Sequence, residues 1–125
     1  MAHRVAKYVS FLEEMLDGDR RRYAQHWRCK TMLRIAESGF IHFLCDIVYH
    51  ILQENVPINK KQKELFFRFK DDLLKLKCKK CNINKKRWVL IERKQLIKPL
   101  LDVLQNIPEC LHDDLFVKKR TLCKH

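Results

Sequence analysis

Scarcity of turn-forming residues limits the folds open to this chain, which has two glycines and three prolines among 125 residues. Those residue types make most tight turns, and a many-stranded sandwich or barrel needs a turn after almost every strand. The composition therefore favours helices. A chain of this length buries a core as one domain. We expect an all-α fold, a compact bundle of about five helices over residues 1–117, followed by a basic C-terminal tail over residues 118–125.

Hydrophobic spacing predicts where the helices lie. Apolar residues recur every three or four positions in most of them, which indicates one buried face. Phe40–Leu52 is instead apolar on nearly every side, which predicts a buried central helix. The predicted helices are 2–16, 20–36, 40–52, 60–77 and one that starts between 88 and 92 and ends near 106. We expect Pro57 to interrupt the chain before a helix capped by Asn59, and Pro99 to kink the last helix or mark a restart.

Neither secretion nor a membrane span is expected. The N-terminus lacks the apolar run and the small-residue cleavage site of a signal peptide. The apolar stretch Phe40–Leu52 is shorter than the roughly 20 residues that cross a bilayer. Six cysteines without a signal sequence indicate a reducing compartment, with free thiols or a bound metal rather than disulfides.

Positive charge is concentrated in residues 78–98, which we call the basic segment. It has eight Lys and Arg residues against one acid, a net +7 out of +12 for the whole chain. Such a field attracts a polyanion, and nucleic acid is the commonest one. The sequence therefore predicts phosphate contacts, and the alternative is a solvated loop that is basic only for solubility. The predicted contact residues are Lys79, Lys80, Lys85, Lys86, Arg87, Arg93, Lys94 and Lys98.

Two further features extend this prediction. Trp88 directly follows three cations, and its ring is a candidate to stack on an exposed base. A second basic patch lies in the first turn of the predicted second helix, where the positive end of the helix dipole repels cations. A phosphate partner would relieve that repulsion, and so would nearby acids such as Glu13. The patch consists of Arg20, Arg21 and Arg22.

The spacing Cys78-x2-Cys81 lets one turn present two thiolates to a tetrahedral metal ion. A zinc site would need a second pair, either Cys110 with His112 or Cys123 with His125. The alternative, which we favour, is no metal and two free thiols made more acidic by the flanking lysines. Two other cysteines, Cys29 and Cys45, are predicted to be core thiols.

No pattern in the chain indicates an assembled active site. A Gly-rich phosphate loop, HExxH and GxSxG are all missing from the sequence. His42, Asp46 and His50 have i, i+4, i+8 spacing, which suits a metal site or an acid–base pair and also an ordinary polar stripe. We expect a protein without enzymatic activity and without a cofactor.

Residues 40–103 resemble a family of short basic proteins encoded by adintoviruses and by the related Maverick/Polinton DNA transposons. The family pattern is an apolar helix, an N-[VI]-P-[LI] connector, a K-Q-K element, a basic helix, a Lys-rich turn and an apolar C-terminal segment. Where the family carries Gly-Gly, this chain has Lys94-Gln95. The matching residues are Asn55, Val56, Pro57, Ile58, Lys61, Gln62, Lys63, Leu73, Leu76, Lys85, Lys86, Arg87 and the segment 96–101.

Members of that family are thought to resemble the adenovirus core protein X or mu, which binds and condenses genomic DNA. The resemblance implies a DNA-binding role in a virion and places the protein in the virion or the host nucleus. With the basic segment, it leads us to expect sequence-independent binding of nucleic acid, DNA in particular. The alternatives are a helical protein-interaction module that binds an acidic capsid or host partner, and a small zinc-stabilised domain. The oligomeric state is left open.

Overall fold

Helices form nearly all of the described chain. The computed structural model describes the backbone of residues 3–16 and 22–107, and the side chains of residues 5–16 and 28–107. This part of the chain contains no strand, and the predicted all-α bundle is confirmed. The predicted tail at 118–125 lies outside the described residues. In chain order the elements are α1 (His3–Leu16), α2 (Arg22–Ile35), α3 (Ser38–Leu52), α4 (Lys60–Arg68), α5 (Lys70–Lys77), α6 (Ile83–Glu92), a 3-10 helix (Lys94–Leu96) and α7 (Ile97–Asn106).

The core is built around α3, as its apolar composition predicts. Nine of its 15 residues are buried, and it packs against α5, α6 and α7. α1 packs against α2 and α7. Where α1 meets α3, the ring of Phe40 lies 5.5 Å from that of Tyr8 and 4.7 Å from that of Phe11, both edge-on. Such edge-to-face pairs stabilise a core beyond the area that they bury.

The connector before α4 has the predicted cap. Asn59 Oδ1 accepts the backbone N–H of Gln62 at 2.7 Å, and Gln62 Oε1 accepts that of Asn59 at 3.0 Å. This reciprocal capping box satisfies two N–H groups that the first turn leaves without helical partners. The start of α4 is therefore fixed by local sequence.

The helix predicted over residues 60–77 is divided in two. The backbone of Phe69 has φ −106° and ψ 28°, and its N–H donates to Phe66 O at 3.2 Å, which tightens and ends the last turn of α4. α5 then begins at Lys70. The apolar spacing continues across this bend through Phe66, Leu73 and Leu76, which are all buried. Periodicity alone therefore did not reveal the break.

The last predicted helix is also divided, and it begins earlier than expected. Asn82 Oδ1 accepts the backbone N–H of Lys85 at 2.8 Å, so the Asn-Ile-Asn run at residues 82–84 is the start of α6. The helix ends at Arg93, with φ −114° and ψ 51°, and α7 begins at Ile97. Pro99 thus lies in the first turn of α7, where a missing N–H costs no helical hydrogen bond. Of the two outcomes predicted for Pro99, a kink or a restart, the structure has a restart, which begins two residues earlier at Ile97.

Candidate nucleic-acid interface

Three lysines surround the start of α6. Lys79 and Lys80 lie in the turn between α5 and α6, and Lys85 lies in the first turn of α6. All three are exposed, and none of their ammonium groups pairs with a carboxylate in the described part of the chain. The positive end of the α6 dipole adds to their field. These charges are therefore available to a phosphate backbone.

An aromatic ring lies one turn further along α6. Trp88 is 51% exposed and shares a side of the helix with Lys85, because residues three apart are neighbours on a helix surface. The guanidinium carbon of Arg34, from the end of α2, lies 6.0 Å from the Trp88 ring centroid. Such a cation–π contact at an exposed site contributes about 0.5–1 kcal/mol. We call Lys79, Lys80, Lys85, Trp88 and Arg34 the α6 basic surface.

Arg87 connects α6 to the end of α2. Its Nη1 donates to the carbonyl oxygens of Leu33 at 2.8 Å and Ala36 at 2.6 Å, with a longer contact of 3.5 Å to the Arg34 carbonyl. The last carbonyls of a helix have no partner within it and carry partial negative charge. Arg87 therefore caps α2 and holds Arg34 beside Trp88, so its charge is engaged within the protein.

Lys86 is buried, with 9% of its surface exposed. Desolvation raises the pKa of Cys45, on α3, and the charge of Lys86 partly offsets that rise. At Cys78 the pKa is lowered, first by a backbone hydrogen bond from Lys80, and the charge of Lys86 adds to that effect. In this conformation Lys86 is withheld from a polyanion outside the protein, although the sequence placed it among the contact residues.

The remaining cations of the basic segment have partners nearby. Arg93 Nε donates to Asp72 Oδ2 at 2.7 Å, and this hydrogen bond is the first cause of the raised pKa of Arg93. Lys94 Nζ donates to the carbonyl of Ile91 at 2.9 Å. Lys98 pairs with Asp102 at 2.7 Å. Sequence reasoning missed all of these acceptors and also Arg34. The i, i+4 spacing of Lys98 and Asp102 was a local signal for one of them, whereas Asp72 and Arg34 lie on other helices and no local pattern links them to the basic segment.

The second basic patch falls mostly outside the described residues. Arg20 and Arg21 lie outside the described residues, and only the backbone of Arg22 is described, as the first residue of α2. The phosphate contacts predicted for these three arginines stay a prediction.

Cys78 and Cys81 lie at the two ends of the turn that carries Lys79 and Lys80. Both are free and half-buried. The described residues contain no group of three or more His, Cys, Asp or Glu side chains placed to hold a metal. Both candidate second pairs, Cys110 with His112 and Cys123 with His125, lie outside the described residues. The described residues therefore supply at most two ligands of a tetrahedral zinc site.

The polar stripe of α3 runs from solvent into the core. His42 is exposed, Asp46 is half-buried and His50 is 1% exposed. His50 Nδ1 lies 3.0 Å from Asn55 Nδ2, in the connector after α3. The three side chains of the stripe therefore lie at different depths of the bundle.

Length and hydropathy single out no helix of the described chain as a membrane span, and only the bent pair Arg28–Ile35 and Ser38–Leu52, at 109°, passes that test together. Comparison of the chain with protein-family models, with curated proteins and with solved structures found no match.

Proposed function

We propose that the protein binds nucleic acid, DNA in particular, without reading its sequence, through the α6 basic surface. One observation supports this most directly. Three exposed lysines, without carboxylate partners among the described residues, lie at the positive end of a helix beside an exposed tryptophan. From the family resemblance, we further propose that the protein is a component of a virus or transposon particle.

Each part of the surface has a chemical role. Lys79, Lys80 and Lys85 contact phosphate oxygens, which position a protein on nucleic acid but carry no sequence information. Each neutralised phosphate releases a condensed counterion, so binding weakens as salt rises. The Trp88 ring stacks on an unpaired base where one is present. No step of this proposal is catalytic, and none requires a cofactor.

The test is a salt titration of binding to a labelled duplex of arbitrary sequence. We compare the wild type with Lys79→Ala/Lys80→Ala/Lys85→Ala and with a control, Lys60→Ala/Lys61→Ala/Lys63→Ala on α4. The control lysines are also exposed, and both variants lose three units from a net charge of +12. Since each phosphate contact contributes about 0.9 to the slope of log affinity against log salt, the first variant should lose nearly 3 units of slope.

The control variant should keep the wild-type slope to within about one unit, because its lysines lie on another helix. Equal losses in the two variants would contradict a localised surface and indicate binding by net charge alone.

The variant Trp88→Ala distinguishes single-stranded from duplex nucleic acid as the polymer that the tryptophan contacts. Stacking contributes about 1–3 kcal/mol per base, so this substitution should weaken single-strand binding more than duplex binding. A wild type that does not bind duplex or single strand would overturn the proposal.

A second candidate function is a helical module that binds an acidic protein partner. The observation that favours it is apolar exposure, since Ile35 is 74% exposed and Phe67 is 73% exposed. Large exposed apolar side chains beside cations suit a protein interface. An acidic polypeptide in the same titration tests this candidate. If it binds more tightly than DNA, and Ile35→Ser weakens that binding, the interaction module becomes the better account.

A further inference from the structure

A groove runs between α1 and α2. It consists of two adjoining hollows, with volumes of about 270 Å³ and about 540 Å³. Phe11 of α1 and Ile35 of α2 line both hollows, so the apolar lining continues from one to the other. Phe11 is half-buried, and Ile35 projects from α2 with 74% of its surface exposed. No residue of the α6 basic surface lines this groove, so it is a separate feature of the protein.

A cation and an acid lie at each end of the groove. At one end Lys7 Nζ lies 3.4 Å from Glu37 Oε1, which also accepts the Tyr8 hydroxyl at 2.7 Å. At the other end Arg28 Nη2 lies 3.8 Å from Glu14 Oε1. All four charged side chains are exposed. Because two cations and two acids line the groove, it is neutral in a chain whose net charge is +12.

This charge pattern determines which partner fits the groove. The acids at both ends disfavour a polyanion, and the exposed apolar side chain between them favours a partner with apolar surface of its own. The large net charge makes copies of the chain repel each other, so two copies can meet only where the local charge is balanced. A complementary partner needs an apolar centre with a cation and an acid at each end. The groove of a second copy has this pattern.

We propose that the groove is the interface of a homodimer, in which it packs against the same groove of a second copy. In such an isologous interface, residue i of one copy contacts residue j of the other, and j contacts i. On α1 the cation and the acid lie at opposite ends of the groove, about two helical turns apart. A two-fold axis across the groove therefore places the two α1 helices antiparallel, with Lys7 of each copy against Glu14 of the other. The same axis places Arg28 against Glu37.

The shape of the groove suits this orientation. The larger hollow includes Glu14 and Arg28, and the projecting Ile35 lies towards the other end, two residues before Glu37. The two-fold axis brings Ile35 of each copy over the larger hollow of the other. Its burial removes apolar surface from water, which is the main favourable term in protein association. The charged pairs set the relative orientation of the two copies, because exposed ion pairs add little affinity.

Sedimentation equilibrium of the full chain, free of nucleic acid and with its thiols kept reduced, measures the dissociation constant of the dimer. Lys7→Glu should raise this constant at least about tenfold, because two acids then face each other at two places in the dimer. Glu14→Lys should have an equal effect, with two cations facing each other. In a one-to-one mixture the two variants should form a heterodimer with a constant within about threefold of the wild-type value, because every facing pair is again opposite in charge.

Two further variants complete the test. Ile35→Ser should weaken the dimer at least about tenfold, because it removes the central apolar contact from both copies. Lys63→Glu, at an exposed position on α4, makes the same change in net charge as Lys7→Glu and should leave the dissociation constant within about threefold of the wild-type value. Circular dichroism of each variant shows whether the monomer is folded.

Three outcomes would overturn the proposal. The first is a wild type that stays monomeric at concentrations up to about 1 mM. The second is a mixture of Lys7→Glu and Glu14→Lys that is no more dimeric than either variant alone. The third is recovery of the dimer only when Lys7→Glu is mixed with Glu37→Lys, since this would place the two-fold axis along the groove. Because no nucleic acid is present, each result is independent of the proposed binding function.

Discussion

The basic segment contains two groups of cations, which differ in what surrounds them. On the N-terminal side of Lys86 the cations are exposed and lack carboxylate partners among the described residues; they are Lys79, Lys80 and Lys85. On its C-terminal side each cation donates to an oxygen of this chain, and these are Arg87, Arg93, Lys94 and Lys98. One run of positive charge is thus divided between exposed cations and cations that donate to oxygens of the same chain.

The difference shows why charge density is an incomplete guide to a binding surface. In the sequence, Lys79-Lys80 and Arg93-Lys94 look alike. In the fold, the first pair lies in a solvent-facing turn, and Arg93 meets Asp72 from another helix. Both arginines of the segment are engaged, in keeping with a planar guanidinium that fits carbonyl and carboxylate oxygens better than an ammonium group does. Substitutions in the two groups should therefore change different quantities, binding in one and stability in the other.

The largest effect on stability is expected from Arg87→Ala. This change removes two short hydrogen bonds to the end of α2 and leaves the carbonyls of Leu33 and Ala36 without that donor. Because a hydrogen bond from a charged group contributes about 1.5–3 kcal/mol, we expect the free energy of unfolding to fall by about 3 kcal/mol. Urea denaturation followed by circular dichroism measures the change.

Two further variants, a conservative substitution and an exposed control, test this prediction. Arg87→Lys keeps the charge near the α2 dipole but loses the fork of donors, so it should cost about half as much. Lys85→Ala, in an exposed position, should stay within about 0.5 kcal/mol of the wild type. If Arg87→Ala were as stable as Lys85→Ala, Arg87 would belong with the exposed cations, and the division of the basic segment into two groups would be wrong.

A smaller effect is expected where Arg93 meets Asp72. The pair is close, 2.7 Å, and partly screened from water, with 40% of the Arg93 side chain and 18% of the Asp72 side chain exposed. Arg93 also lies 5.7 Å above the Phe69 ring. In a double-mutant cycle of Arg93→Ala and Asp72→Ala we expect a favourable coupling in the free energy of unfolding that is larger than the coupling between Lys98 and Asp102. A coupling near zero would mean that Arg93 is as available to solvent as Lys79.

Most of the fold could be predicted from the sequence, because the features that specify its helices involve residues close together in the chain. The apolar α3, the capping box at Asn59 and the restart near Pro99 each follow from residues a few positions apart. The break at Phe69 was missed, because hydrophobic spacing continues across it. The early start of α6 was missed for a different reason. Asn82 suits both a turn and an N-cap, and only the fold distinguishes them.

Only part of the candidate site could be predicted from the sequence. The basic and aromatic residues are close together in the chain, but the contacts that arrange them come from distant segments. Sequence alone identified Lys79, Lys80, Lys85 and Trp88 as candidates. It gave no sign that Arg34 would lie over Trp88, or that Arg87 would be occupied by the carbonyls of α2. Those contacts join segments far apart in the chain, and a single sequence has no feature that reports them.

The smallest effect is expected for Lys98→Ala. Its ion pair with Asp102 spans one helical turn, with 64% and 39% of the two side chains exposed. A cation N-terminal to its acid is also the weaker orientation on a helix. We therefore expect the free energy of unfolding to change by less than about 0.5 kcal/mol. Because Asp102 offsets the charge of Lys98, the salt slope of DNA binding should also change less than in Lys85→Ala, which should lose about one unit. Equal losses of slope in the two variants would show that a cation with an internal partner still contacts phosphate, and the division of the basic segment would then describe stability alone.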